Sequence, residues 1–100
     1  MDIEDQIGQL EQSMHTLLYA DEVPNTFGMT GQVAAALQSI SMSMANKELG
    51  KATKERLDAV LTTVEDNRSV FAIPETFLID RVFQLAKAVR AKLGRGPFMG

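Results

Sequence analysis

The chain contains no cysteine, which excludes disulfide bridges, thiolate nucleophiles and cysteine-ligated metal. Histidine occurs once, as His15, so there is little material for imidazole ligands or bases. Long apolar runs are missing as well, and no stretch approaches the ~18 apolar residues that span a bilayer. The opening Met1-Asp2-Ile3-Glu4-Asp5 lacks the basic start and apolar run of a secretory leader. These absences predict a cytoplasmic protein with no membrane partner. Two further absences concern charge: no lysine or arginine precedes Lys47, and no carboxylate occurs from Arg81 onward.

What is present is ordinary for a folded domain. At 100 residues, 45% hydrophobic and 23% charged, the chain has enough apolar material for one core and too little length for two. We expect a single helical domain over 1–94 and a flexible tail over 95–100, whose Gly and Pro content opposes regular structure.

Four segments carry helical periodicity. Ile3, Ile7, Leu10, Met14 and Leu17 recur at steps of four and three, which lines them along one face of a first helix. Asp2 suits its N-cap, Glu4 and Asp5 suit its first turn, and it should stop near Ala20. A loop over 21–28 follows, under which Phe27 can tuck its ring. Thr30 reads as the N-cap of a second helix with Val33, Leu37, Ile40 and Met44 on its inner face, and Gly50 reads as its stop. Small residues surround that helix, which suits close packing near the centre of a bundle or at an interface. A third helix is expected from about Thr53, with Leu57, Val60, Leu61 and Val64 inward, ending over 66–69. Val70, Phe71, Ala72 and Ile73 read as a buried linker. Pro74 and Gly94 frame a fourth helix whose apolar residues exceed what one packing face needs. The sum is an all-α antiparallel bundle of three to four helices, with the fourth as hub and the first and second packed against it.

No catalytic signature accompanies this pattern. There is no glycine-rich phosphate loop and no Gly-x-Ser-x-Gly elbow. His15 has one suggestive neighbour, Glu11, a single turn away, and one pair does not make a metal site. We expect no enzyme activity, no cofactor and no metal. A helix-turn-helix reader of DNA misses its register twice, because Ala45 lies five residues before Gly50 and the sixth residue after that glycine is Arg56.

The segregated charge is the remaining clue. Acids at helix starts and bases at helix ends stabilise each helix on its own account, and that explains much of the asymmetry. Beyond it, Glu4, Asp5, Glu11, Asp21 and Glu22 form an acidic set able to engage a basic groove, and Met42, Met44, Phe77 and Phe98 form an apolar set able to anchor a partner. Met42 and Met44, two positions apart, fall on different sides of the second helix, so one can lie outside the core. These sets predict a non-enzymatic protein-binding module docking on a larger complex, with a homodimer as one form of it. It would act as an adaptor through apolar surface, or as an inhibitor of a nucleic-acid-handling machine through its acids. In size, acidity and lack of cysteine the chain is similar to phage proteins of the anti-CRISPR type, a likeness of general character that no motif carries. The alternative is a DNA-binding protein using Arg81, Lys87, Arg90, Lys92 and Arg95 on the basic last helix, against which the pI near 5.0 argues.

Overall fold

A computed structural model describes residues 2–19, 29–45, 48–71 and 76–94. Ala20, the 21–28 loop with Asp21, Glu22 and Phe27, residues 72–75, and the tail with Arg95 and Phe98 lie outside the described residues. Helix α1 runs Ile3–Tyr19, α2 Met29–Met44, α3 Lys51–Asp66 and α4 Thr76–Leu93, with a short 3-10 turn Arg68–Val70 between the last two. The fold is a small all-α bundle.

Local cues set α1 as expected. The Glu4 amide donates to Asp2 Oδ1 at 2.7 Å, capping the helix. Ile3, Ile7, Leu10, Met14 and Leu17 are all buried. On α2 the inner face is again Val33, Leu37 and Ile40, with Met44 half-buried against the core. Its boundaries differ from expectation at both ends. Thr30 lies inside the helix, and Gly50 does not stop it: α2 ends at Met44, and Gly50, with extended backbone, is the N-cap of α3. Helix α3 therefore starts at Lys51, two residues before Thr53. Its far end is closed by Asn67, whose side-chain amide donates to the Thr63 carbonyl at 2.8 Å. Phe71 is buried and Val70 half-buried, as a buried linker requires. The Gly94 amide closes α4 on the Arg90 carbonyl at 2.8 Å.

Cross-helix contacts give the arrangement. Ser43 Oγ, late in α2, donates to Gln6 Oε1, early in α1, so these two run antiparallel. Arg68, just past α3, reaches Asp80 near the start of α4, while Arg90 near its end reaches back to Asp58. That pair is antiparallel too. Lys92 and Ser41, each near the end of its helix, are bonded, which makes α2 and α4 parallel neighbours. Likewise Glu11 meets Arg56, and His15 and Tyr19 lie beside Ala59 and Thr63, so α1 and α3 run the same way. Direction alternates along the chain, but the order around the bundle is α1, α2, α4, α3. The expectation that α1 packs on α4 is thus corrected: α1 lies against α2 and α3, and α4 sits at the opposite corner. The reason is physical. Periodicity assigns each helix an inner face without saying which neighbour supplies the other wall.

Helices α2 and α4 make the most extensive contact of the four pairs. Fully buried Ala86 on α4, with the buried Ala34 on the Ser41 side of α2, leaves room for backbones to approach closely. Thr30 is the one flaw in the core among the described residues. Its side chain is fully buried and its hydroxyl meets no hydrogen-bond partner, a desolvation cost of about 1–3 kcal/mol. Thr30→Val keeps the shape and removes the orphan, so it should stabilise the bundle by about 1 kcal/mol, read as a higher urea midpoint. A lower midpoint would show that the hydroxyl is satisfied in solution.

Candidate interaction surfaces

The acidic set divides once its surroundings are seen. Glu11 is engaged inside the molecule by Arg56 from α3: Nε lies 3.1 and 3.0 Å from the two carboxylate oxygens and Nη2 2.7 Å from Oε1. That fork-on-carboxylate geometry is the stronger kind of ion pair, and it raises the Arg56 pKa further. Glu4 and Asp5, exposed in the first turn of α1, face the helix dipole and remain open to solvent.

The basic set divides in the same way. Arg90 is clasped by α3, its Nε within 3.1 and 3.0 Å of the Glu65 oxygens, Nη1 at 2.6 Å from Asp58 and Nη2 at 3.2 Å from the Thr62 hydroxyl. Glu65 first, then Asp58, hold this guanidinium protonated even more firmly than usual. Lys92 donates to both the carbonyl and the hydroxyl of Ser41, each at 2.9 Å. Only Arg81 and Lys87 of the described cations on α4 make no such contact, and they point to different sides of the helix. A continuous phosphate-binding row is therefore broken at Arg90. Sequence reasoning missed these pairings because the partners lie 45 and 32 positions away, and no local pattern connects them. Arg90→Gln strands two carboxylates that are largely solvated, so about 1 kcal/mol of stability should be lost, with the deficit shrinking in high salt. Thermal melts at low and high ionic strength would check this, and a salt-independent loss would contradict the ion-pair account.

Helix dipoles explain less of the charge segregation than expected. Glu4 and Asp5 open α1 and Arg90 and Lys92 close α4, but α3 opens on Lys51 and Lys54 with no acid in its first turn. The bundle order adds a second segregation. Adjacent α1 and α3 carry most carboxylates, whereas adjacent α2 and α4 carry one, Asp80, α2 having no charged residue at all.

The apolar set resolves clearly. Phe77 is 75% exposed and Met42 66% exposed, and Tyr19 is the third large apolar side chain in solvent among the described residues. Met44 is half-buried and packs against the core, so it offers a partner less surface than Met42. It points inward because position 44 continues the Val33, Leu37, Ile40 face. His15 is exposed and meets the Tyr19 ring at 4.7 Å between centroids, the planes tilted by 44°. Among the described residues no group of histidines and carboxylates could hold a metal ion, and no helix is long and apolar enough to cross a membrane. A groove of about 580 Å³ between α1 and α2 is lined by Gln9, Gln12, Ser13, Thr16, Gln32 and Ser39 among others. Among the described residues its lining is amides, hydroxyls and apolar side chains. Set beside family models, curated proteins and solved structures, the chain matches none of them.

Proposed function

We propose that this bundle is a non-enzymatic protein-binding module of the adaptor kind, which docks on a larger protein through the outer side of α2 and α4. The observation that carries this reading is the exposure of Phe77 and Met42 on those two neighbouring helices. Each removes a large apolar side chain from a core that is otherwise well filled, and aromatic and methionine anchors are the side chains that interfaces favour. The inhibitor form has less support, because Glu11 is committed to Arg56 and leaves Glu4 and Asp5 as the described members of its acidic set. A DNA reader also has less support. A helix-turn-helix needs its two helices packed together, whereas α2 and α3 occupy opposite corners, and Arg90 is occupied.

The test compares partners captured from an extract of the source cells by the wild-type chain and by Phe77→Ser with Met42→Ser, each with and without nuclease. A partner retained after nuclease and lost in the double variant is expected. The variant should melt no lower than wild type, since both side chains are already in water. A partner that survives both substitutions would move the interface elsewhere, and one that vanishes with nuclease would restore the nucleic-acid reading.

A further inference from the structure

The outer side of α2 and α4 also carries information about the chemistry of the partner, in an argument that rests on the docking reading above. Helical spacing lines up Phe77, Arg81, Ala88 and Lys92 along α4, and Gln38 and Met42 one turn apart on α2. All six are exposed. Lys92 fixes the side they occupy, because its ammonium lies on Ser41 of α2, while Arg90 and Asp80 turn toward the α3 side to meet Asp58 and Arg68. Among the described residues this face holds no carboxylate. Arg56, Arg68 and Arg90 each have an acidic partner within the bundle; among the described residues Arg81 has none, as Lys51, Lys54 and Lys87 on other sides have none, and Lys92 touches only the neutral oxygens of Ser41. A chain of net charge −3 thus presents two cations without an internal counter-charge, on the same side as its exposed phenylalanine and methionine.

We propose that this face receives an acidic amphipathic helix of another protein, its carboxylates pairing with Arg81 and Lys92 and its apolar side covering Phe77 and Met42. Charge complementarity of this kind sets partner choice and association rate, and an amphipathic helix is the common way to cover a helical groove. The spacing follows from α4 itself. Arg81 and Lys92 are eleven residues apart, about 16 Å along the axis, so the partner's carboxylates stand about three turns apart. Nucleic acid fits less well. Duplex binders commonly neutralise about 6–10 phosphates, far beyond two cations, and a phosphate backbone offers nothing apolar to Phe77 and Met42.

The test titrates the isotopically labelled full chain with three synthetic amphipathic peptides of four to five turns. They share a leucine and alanine pattern and differ only in bearing glutamate, glutamine or lysine at the polar positions; a DNA duplex is the fourth ligand. At low salt the glutamate peptide should bind at least tenfold more tightly than the glutamine peptide, with amide shifts centred on 77–92 of α4 and 38–42 of α2. That advantage should vanish in 0.5 M NaCl and in Arg81→Gln with Lys92→Gln. Arg81→Gln alone, which breaks no contact among the described residues, carries the test if loss of the Ser41 contact loosens the bundle. Equal binding of the glutamate and glutamine peptides on this face would overturn the acidic partner while leaving the docking reading intact. No peptide binding there would overturn both. Tighter binding of the duplex on the same residues would replace the helix by nucleic acid, and shifts at this face that grow with protein concentration alone would replace it by a second copy.

Discussion

Leu37→Ala should cost the bundle about 2–5 kcal/mol, the range for deleting a fully buried leucine and leaving a cavity. Leu37 has no exposed surface and sits in the middle of α2, the helix that makes the two most extensive helix pairings, with α1 and with α4. Val33 and Ile40, one turn to either side, are equally buried, so the site has no mobile edge from which to collapse. A domain of this size commonly has only about 5–15 kcal/mol in all, so the variant would stand near the limit of folding at 37 °C. Urea denaturation followed by circular dichroism gives the value. A loss below about 1 kcal/mol would mean that α2 does not pack as described.

Phe71→Ala should cost a comparable amount, about 3–5 kcal/mol. The ring is buried and meets Phe83 edge-on, with centroids 5.7 Å apart and planes at 84°. Phe83 in turn carries the Arg68 guanidinium over its face at 4.7 Å, and Arg68 is bonded to Asp80 at 3.2 Å. Truncating Phe71 therefore removes the floor under a stack that fastens the exit of α3 to α4. Phe71→Leu keeps most of the volume and should lose about 0.5–1.5 kcal/mol, the share of the aromatic geometry. Thermal melts of the two variants separate volume from ring contact, and equal losses would assign the whole effect to the ring.

The fold was legible where several local signals agreed. In α1 the cap, the acidic first turn and the regular apolar spacing all point the same way, and the helix stands where they put it. Gly50 shows the opposite case. A glycine between two helices can stop the first or start the second, and here its carbonyl accepts from the Lys54 amide at 3.0 Å, so it belongs to the second. Thr30 has the chemistry of a cap, but it lies within α2 with its side chain fully buried, and tertiary packing can outweigh such a preference. Phe77 was legible as surplus because the apolar residues of α4 exceed one face, and the structure puts that surplus in solvent. Met42 and Met44 were separable by their spacing, although only the packing decided which was outside. The committed roles of Glu11, Arg56 and Arg90 were invisible, since their partners come from helices that only the bundle order brings alongside.

That order also governs how the molecule comes apart. In chain sequence α1 and α2 form one hairpin and α3 and α4 the other, yet each hairpin is built from one edge of the square and owns no enclosed interior. Its buried face is completed by the other hairpin, through contacts such as Glu11 to Arg56 and Ser41 to Lys92 that close 45 and 51 residues of chain. Neither half can retain its packing after the other has left, so partial unfolding has no stable resting point. The bundle is held by mutual enclosure and should lose its structure in one cooperative step.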